Sequence, residues 1–170
     1  MARQLRGNGG VDRGAKKEGV KGWTKSSSGE VKINVDAFVV KEGVGVGLGV
    51  ACRDDRGSLK WMAVEQRRAV RDPREAEAEA LLLGMKKAVR RGHRDVTMES
   101  DCQVLINSLK TRVDGISDFH LIYEDIFYAC DSFRSVKWSF VVRESNKVAH
   151  EIARLAPWEG VDGNGRLASR

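Results

Sequence analysis

A change of period at Pro73 constrains this chain more than any other feature. Before it, three short segments alternate apolar and polar residues. In "VKINVDAFVV", Val31, Ile33 and Val35 alternate with Lys32, Asn34 and Asp36. A second run spans Val46 to Arg53, and "SLKWMAVEQRR" alternates through Leu59, Trp61 and Ala63. A period of two predicts strands. The connections are a flexible "EGVGVGLG" and a "DDRG" turn, short enough for an antiparallel meander. From Pro73 the period becomes helical and runs to about Arg91, with Gly92 as the stop. A short strand "DVTME" follows, then a helix "SDCQVLINSLK" capped by Ser100 or Asp101. The next helix lies near Ser117 to Ser132, with Phe119, Ile122, Tyr123, Ile126, Ala129, Cys130 and Phe133 at helical spacing. "VKWSFVV" is a fifth strand and "SNKVAHEIARLA" a last helix. The order is β-β-β-α-β-α-α-β-α. Strands one, four and five, joined through helices, are expected to be parallel with right-handed crossovers. The fold class is α/β: a mixed five-stranded sheet, part antiparallel meander and part parallel, flanked by helices.

The chain has 170 residues, enough for one domain with a real core. Residues 1–30 read as a basic Gly/Ser-rich tail, with Trp23 packed on the domain edge. Residues 31–157 form the folded domain, and 158–170 a loose end. No stretch approaches the ~20 apolar residues that span a membrane. The first residues lack the apolar core of a secretory signal. Cys52, Cys102 and Cys130 show no metal-ligand spacing, and their number is odd. They read as reduced, packed thiols of an intracellular protein, cytoplasmic or nuclear. The net charge is +6, of which residues 1–25 supply +5. Such a tail steers toward polyanions by a salt-sensitive attraction, or is simply solvated.

The first helix opens with "EAEAEALLLG". On a wheel of ~100° per residue, Glu77 falls between Leu81 and Gly84, with Ala88 beneath it. Glu75 and Glu79 point to the far side with Lys86 and Arg90, toward solvent. An inward carboxylate needs a cation, a metal or hydrogen bonds, unless the helix is rotated or frayed there. Asp36 ends the polar face of the first strand, and Asp101 follows the fourth in "MESD". Taken singly, Asp36 also fits a solvent-facing strand end, and Asp101 a helix cap. Taken together, two aspartates at the carboxyl ends of adjacent parallel strands stand where open α/β sheets bind ligands. The helix between strands three and four can bring Glu77 to the same place. Three carboxylates without an arginine in the same motifs suit a hard cation such as Mg²⁺, and two such ions can bracket a phosphodiester.

These residues carry a resemblance. The words "W…G.VKINVDAF", "GVGLGVACRDDRG", "AEAEALLLGMKKA", "MESD" and "VVRESNKVAHEIARLA", in this order, resemble type 1 ribonuclease H-like proteins from Trp23 to about Ala156. They look closest to the plant reverse-transcriptase-like group. The resemblance implies a magnesium-dependent hydrolase, an endonuclease that cuts the RNA strand of RNA–DNA hybrids with two Mg²⁺ or Mn²⁺ ions. The metal carboxylates fall on Asp36, Glu77 and Asp101. A fourth family carboxylate falls on His150, a position where the plant group carries Asp or His. Imidazole is a poorer ligand for Mg²⁺ than for Mn²⁺. The loop histidine of some members is missing from "RESN", and so is their basic helical protrusion.

Proteins tell RNA from DNA by the 2′-OH and by groove shape. Asn34, Arg143 and Asn146 are expected to contact nucleic acid. Gly43, Gly45, Gly47 and Gly49 would admit a sugar–phosphate chain closely, or serve close packing. His93 and His120 read as loop and helix-surface residues. The expected partner is an RNA–DNA hybrid or another nucleic acid, with no membrane, and the chain is expected to be a monomer. The leading reading is an active hybrid ribonuclease. The alternative, favoured by His150, is a nucleic-acid-binding or regulatory domain with reduced or no catalysis. A protein–protein adaptor is a third and weaker class.

Overall fold

The structure is a computed structural model that describes residues 29–40, 45–68, 72–112 and 120–156. The expectations for Trp23, Gly43, Phe119, residues 1–28 and residues 157–170 lie outside the described residues, as does the His120 side chain. The strands are β1 (Val31–Val39), β2 (Val46–Arg53), β3 (Leu59–Arg67), β4 (Asp95–Ser100) and β5 (Ser135–Phe140). The helices are α1 (Pro73–Arg90), α2 (Gln103–Thr111), α3 (His120–Cys130) and α4 (Lys147–Arg154), with a 3-10 turn over Arg143–Ser145 before α4. They form one five-stranded sheet in the order β3-β2-β1-β4-β5. β1 pairs antiparallel with β2 and parallel with β4, and β5 pairs parallel with β4. This is the mixed sheet expected from the sequence. No helix among the described residues is long and apolar enough to cross a membrane.

α1 covers one face of the sheet. It starts because Asp72 caps it, accepting a hydrogen bond from Arg74 N at 2.8 Å, and because Pro73 needs no partner in the first turn. It stops where Gly92 takes a φ of +77°. Its Leu81 and Met85 are fully buried with Ile33, Val35, Leu48, Val50 and Met98 of the sheet. Each such side chain contributes about 1.5–3 kcal/mol of burial free energy. α3 lies along α1 from outside. Ala76, Ala78 and Ala80 are therefore also buried, and α1 has less free surface than its wheel implies. Glu75 and Glu79 are only part-exposed, and Glu79 reaches Arg67 Nε of β3 at 3.7 Å instead of standing free in solvent.

α4 covers the other face. At eight residues it is too short to be stable alone. It sits directly on β2, where a Cβ on Gly47 would fall 2.1 Å from Ala153 O and one on Gly49 2.2 Å from Ala149 O. Both glycines serve helix packing, so they are not open to a sugar–phosphate chain. Beneath α4 lies the polar face of β1. Glu30, expected in the tail, is buried as well, accepting from Thr97 Oγ1 and from Lys137 Nζ. The three cysteines are free thiols, and burial pushes Cys52 up to about 12.

Candidate active site

Parallel pairing of Val31–Asn34 with Val96–Glu99 ends where β4 ends, while β1 runs on to Val39. Asp36 lies in β1 two residues past that pairing, and Asp101 follows β4 directly. α1 begins at the same edge and presents Glu77 in its second turn. One carboxylate oxygen from each of Asp36, Glu77 and Asp101 lies within 4.8 Å of the others. Asp36 is 4% exposed. No lysine or arginine forms an ion pair with these three in the ion pairs among the described residues.

Helix α2 explains why Asp101 is available. Neither Ser100 nor Asp101 is its cap, as the sequence suggests. The N-cap is Cys102, and it makes no side-chain capping bond. Ser100 Oγ instead accepts from Cys102 N at 3.0 Å and donates toward Glu77 Oε2 at 3.5 Å. The side chains of Ser100 and Asp101 turn into the site because the helix starts later.

Burial and mutual repulsion set the protonation of the cluster. Burial, then the charges of Asp36 and Asp101, raise Glu77 to about 9, against a donated hydrogen bond from the Ala37 backbone. Burial and the charge of Asp101 raise Asp36 to about 6, opposed by His150 and by a hydrogen bond from Glu77. At neutral pH the group therefore keeps a proton, held on Glu77 and shared toward Asp36. Such a set favours whatever positive charge can replace that proton. Three oxygen donors with no organic cation among them fit Mg²⁺ or Mn²⁺ by charge and by donor type.

His150 lies on α4, one turn past Asn146, with its ring against Asp36. Nδ1 is 2.6 Å from Asp36 Oδ2, and the side chain is 25% exposed. The edge of the ring meets Phe38, with centroids 6.3 Å apart. His150 thus joins the three carboxylates as a hydrogen-bond partner of one of them. His93 stands apart, accepting from Trp61 Nε1 at 3.0 Å.

The expected nucleic-acid contacts divide. Arg143 is exposed on the 3-10 turn. Asn34 and Asn146 are 3% and 1% exposed, so their amides do not reach a surface ligand. Asn34 Nδ2 donates to Glu99 Oε2 at 3.0 Å, and Asn146 Nδ2 donates to Val35 O at 2.9 Å and to Asp101 Oδ1 at 3.2 Å. Helix α4 covers the strand face that a sequence pattern shows only as polar. Lys32 and Glu99, which the sequence reading passed over, form a buried ion pair at 3.0 Å in the same layer. A signal for it exists in the sequence: opposite charges fall on the same side of two strands expected to be neighbours.

The reverse transcriptase-like family matches the chain over residues 34–156, a span that includes all three carboxylates and His150. Among solved structures, RNase H1 from the halophilic archaeon Halobacterium salinarum NRC-1 is 18% identical with a TM-score of 0.70, covering 75% of this chain and 96% of that one. The N-terminal RNase H domain of a Mycobacterium tuberculosis protein is 20% identical with a TM-score of 0.65, covering 73% and 90%. LC11-RNase H1, solved in complex with an RNA/DNA hybrid, is 16% identical with a TM-score of 0.68, covering 74% and 95%. At these identities the likeness speaks for the fold. No match is found among curated proteins.

Proposed function

The chain belongs to the reverse transcriptase-like family, and from that premise we propose that it is a metal-dependent endoribonuclease that hydrolyses the RNA strand of RNA–DNA hybrids. The observation that carries this reading is the gathering of Asp36, Glu77 and Asp101 within 4.8 Å where the parallel pairing of β1 with β4 ends. Within the family, the quoted sequence words favour the plant group. Mg²⁺ or Mn²⁺ held by these three carboxylates, two ions in the full reading, would supply the charge that activates water and offsets a phosphodiester during in-line displacement.

The chain's own residues do the rest. Asp36, Glu77 and Asp101 supply the negative charge that selects a divalent cation. Glu77 gives up the proton it shares with Asp36 when a cation takes its place. His150 holds Asp36 through Oδ2 and so fixes the rotation of that carboxylate. Arg143, exposed on the 3-10 turn before α4, would meet a phosphate of the substrate backbone. RNA–DNA hybrid fits the LC11 relative, whose structure holds one.

One observation favours the alternative, a nucleic-acid-binding or regulatory domain with reduced or no catalysis. His150 already engages Asp36 Oδ2 at 2.6 Å, on the side where a fourth carboxylate would add charge. Incubation of labelled RNA–DNA hybrid, duplex RNA and duplex DNA with Mg²⁺, Mn²⁺ or chelator separates the two. We expect cleavage of the hybrid alone, lost in chelator. Asp36→Asn, Glu77→Gln and Asp101→Asn should each lower it at least about a hundredfold, while Glu75→Gln and Glu79→Gln leave it within twofold of the parent as an estimate of order. Hybrid binding without cleavage in either ion would establish the alternative.

A further inference from the structure

Beneath the carboxylates runs a chain of four buried polar side chains. Lys32 Nζ pairs with Glu99 Oε1 at 3.0 Å, with the two side chains 9% and 3% exposed. Glu99 Oε2 accepts from Asn34 Nδ2 at 3.0 Å. The same Nδ2 donates to Asn146 Oδ1 at 3.4 Å. Asn146 Nδ2 then donates to Asp101 Oδ1 at 3.2 Å and to Val35 O, the carbonyl before Asp36, at 2.9 Å. Asn146 is also the N-cap of α4, and its backbone carbonyl accepts from His150 N. One residue therefore joins β1, the turn after β4 and the start of α4, next to Asp36, Asp101 and His150.

We propose that Lys32, Glu99, Asn34 and Asn146 are positioning residues that fix how Asp101 and the start of α4 face the metal site. The argument is one of donor direction. An amide can turn over and exchange its oxygen for its nitrogen, but a carboxylate only accepts. Glu99 faces Lys32 Nζ with Oε1 and Asn34 with Oε2, so Asn34 must turn its NH₂ toward that oxygen. The other hydrogen of that NH₂ then requires an oxygen from Asn146. With its oxygen so engaged, Asn146 must present NH₂ to Asp101 and Val35. Turned over, Asn146 would set its oxygen against Asp101. The ion pair thus sets a hydrogen bond at Asp101 through two amides it does not itself share.

A buried ion pair is poor evidence of stability, since apolar replacement often costs nothing. Orientation of ligand side chains by the groups behind them is a better account, because loss of such groups typically weakens metal affinity about 10–100-fold. The proposal rests on the metal-site reading above, so its test includes a measurement that needs no ion. The readouts are Mn²⁺ affinity of the full chain by electron paramagnetic resonance and the side-chain NH₂ resonances of Asn146. Glu99→Gln, which lets Asn34 turn over, and Asn146→Ala should each weaken Mn²⁺ binding about tenfold or more. The paired change Lys32→Met with Glu99→Met should do so while keeping most of the parent's resistance to unfolding. Ile126→Val, a core change on α3, should lower stability and leave affinity alone. Without any ion, the Asn146 NH₂ resonances should shift in Glu99→Gln and in Asp101→Asn. If the parent binds no Mn²⁺, the metal reading falls and the NH₂ resonances alone decide the proposal. Resonances unmoved in both variants, or parent-like Mn²⁺ affinity in Asn146→Ala, would overturn it.

Discussion

The two faces of the sheet are built by different rules. Toward α1, Ile33, Val35, Leu48, Val50 and Met98 meet Leu81 and Met85 in a buried apolar layer. Toward α4, the same strands turn Lys32, Asn34, Asp36, Thr97 and Glu99 inward, all under 9% exposed, beside Gly47, Gly49, Ala149 and Ala153. The first layer is held by area removed from water and tolerates small adjustments. The second holds its polar groups in fixed pairs, and its helix backbone lies against the strand with no side chain between. Burial of apolar surface stabilises the first, and the carboxylate cluster lies at the edge of the second. The two faces should therefore answer the same perturbation differently.

The largest difference is expected for one methyl group added to each face. In Gly49→Ala the new Cβ would sit 2.2 Å from Ala149 O and 2.4 Å from Ala153 N, both backbone atoms. Relief requires α4 to lift off β2, carrying His150 and Asn146 with it. We expect a loss of about 3 kcal/mol or more in denaturant unfolding and the loss of hybrid cleavage. In Gly84→Ala the new Cβ meets only side-chain atoms, Val35 Cγ1, Met98 Cε and Ile33 Cγ2, at 3.0–3.2 Å. A few tenths of an ångström of movement relieves them, and alanine gains helix propensity of about 1 kcal/mol over glycine. Stability should change by no more than about 1 kcal/mol, with cleavage retained. Equal tolerance at Gly49 and Gly84 would end the distinction between the faces.

A second difference is in pH response, because the titrating groups with strongly raised carboxyl pKa values lie at one edge. Asp36 moves from 3.8 to about 6 on folding and Glu77 from 4.5 to about 9. Between about pH 4.5 and about 9 these two carboxyls hold more protons in the native state than in the unfolded chain, while His93, which burial lowers from 6.5, works the other way near the middle of that window. Their contribution to stability falls as pH rises through that window, the full loss being reached above the folded values. A divalent cation replaces the proton, so its stabilising effect should grow with pH, to on the order of 2 kcal/mol. Thermal unfolding in chelator and in Mg²⁺ across the window tests this. Glu77→Gln should flatten the chelator curve, while Gly84→Ala should only displace it. A chelator curve that climbs toward alkaline pH would contradict the assigned direction.

The two faces also differ in how far the sequence discloses them. The α1 layer is written in period two on the strands and in helical period from Pro73, and the same wheel that places Leu81 inward selects Glu77. Strand order follows from connection length, and with it the meeting of Asp36 and Asp101. The α4 layer is not written that way. Alternation marks Lys32, Asn34 and Asp36 as polar, and polar reads as exposed until an eight-residue helix is laid over it. Asn34 and Asn146 read from the sequence as nucleic-acid contacts, and Gly47 and Gly49 as admitting a ligand or serving close packing; α4 buries the two amides and makes the packing reading the one that applies. Ser100 and Asp101 are good capping types, so local chemistry pointed to a cap while the fold used both at the site. Burial of a polar strand face depends on which helix returns to it, and period alone carries no information about that.

The smallest expected effect sharpens the comparison at its one mixed position, His150. Its ring donates from Nδ1 to Asp36, in the manner of the buried amides beside it, yet at 25% exposed it also borders solvent where a substrate would lie. His150→Asp removes that donor and adds a fourth carboxylate. In chelator the added charge should repel Asp36 and Asp101 and lower stability at neutral pH. With an ion the same charge offsets the mutual repulsion of two divalent cations. Mg²⁺ binds oxygen under strict octahedral demands and gains most from a carboxylate. Mn²⁺ accepts nitrogen more readily and gains less. Cleavage of the labelled hybrid should therefore rise about threefold more in Mg²⁺ than in Mn²⁺, a difference of under about 1 kcal/mol in barrier. Equal rates for variant and parent in both ions would assign His150 to the buried layer alone, as a residue that orients Asp36. A loss of cleavage in both ions would show that the Nδ1 donor matters more than the missing charge.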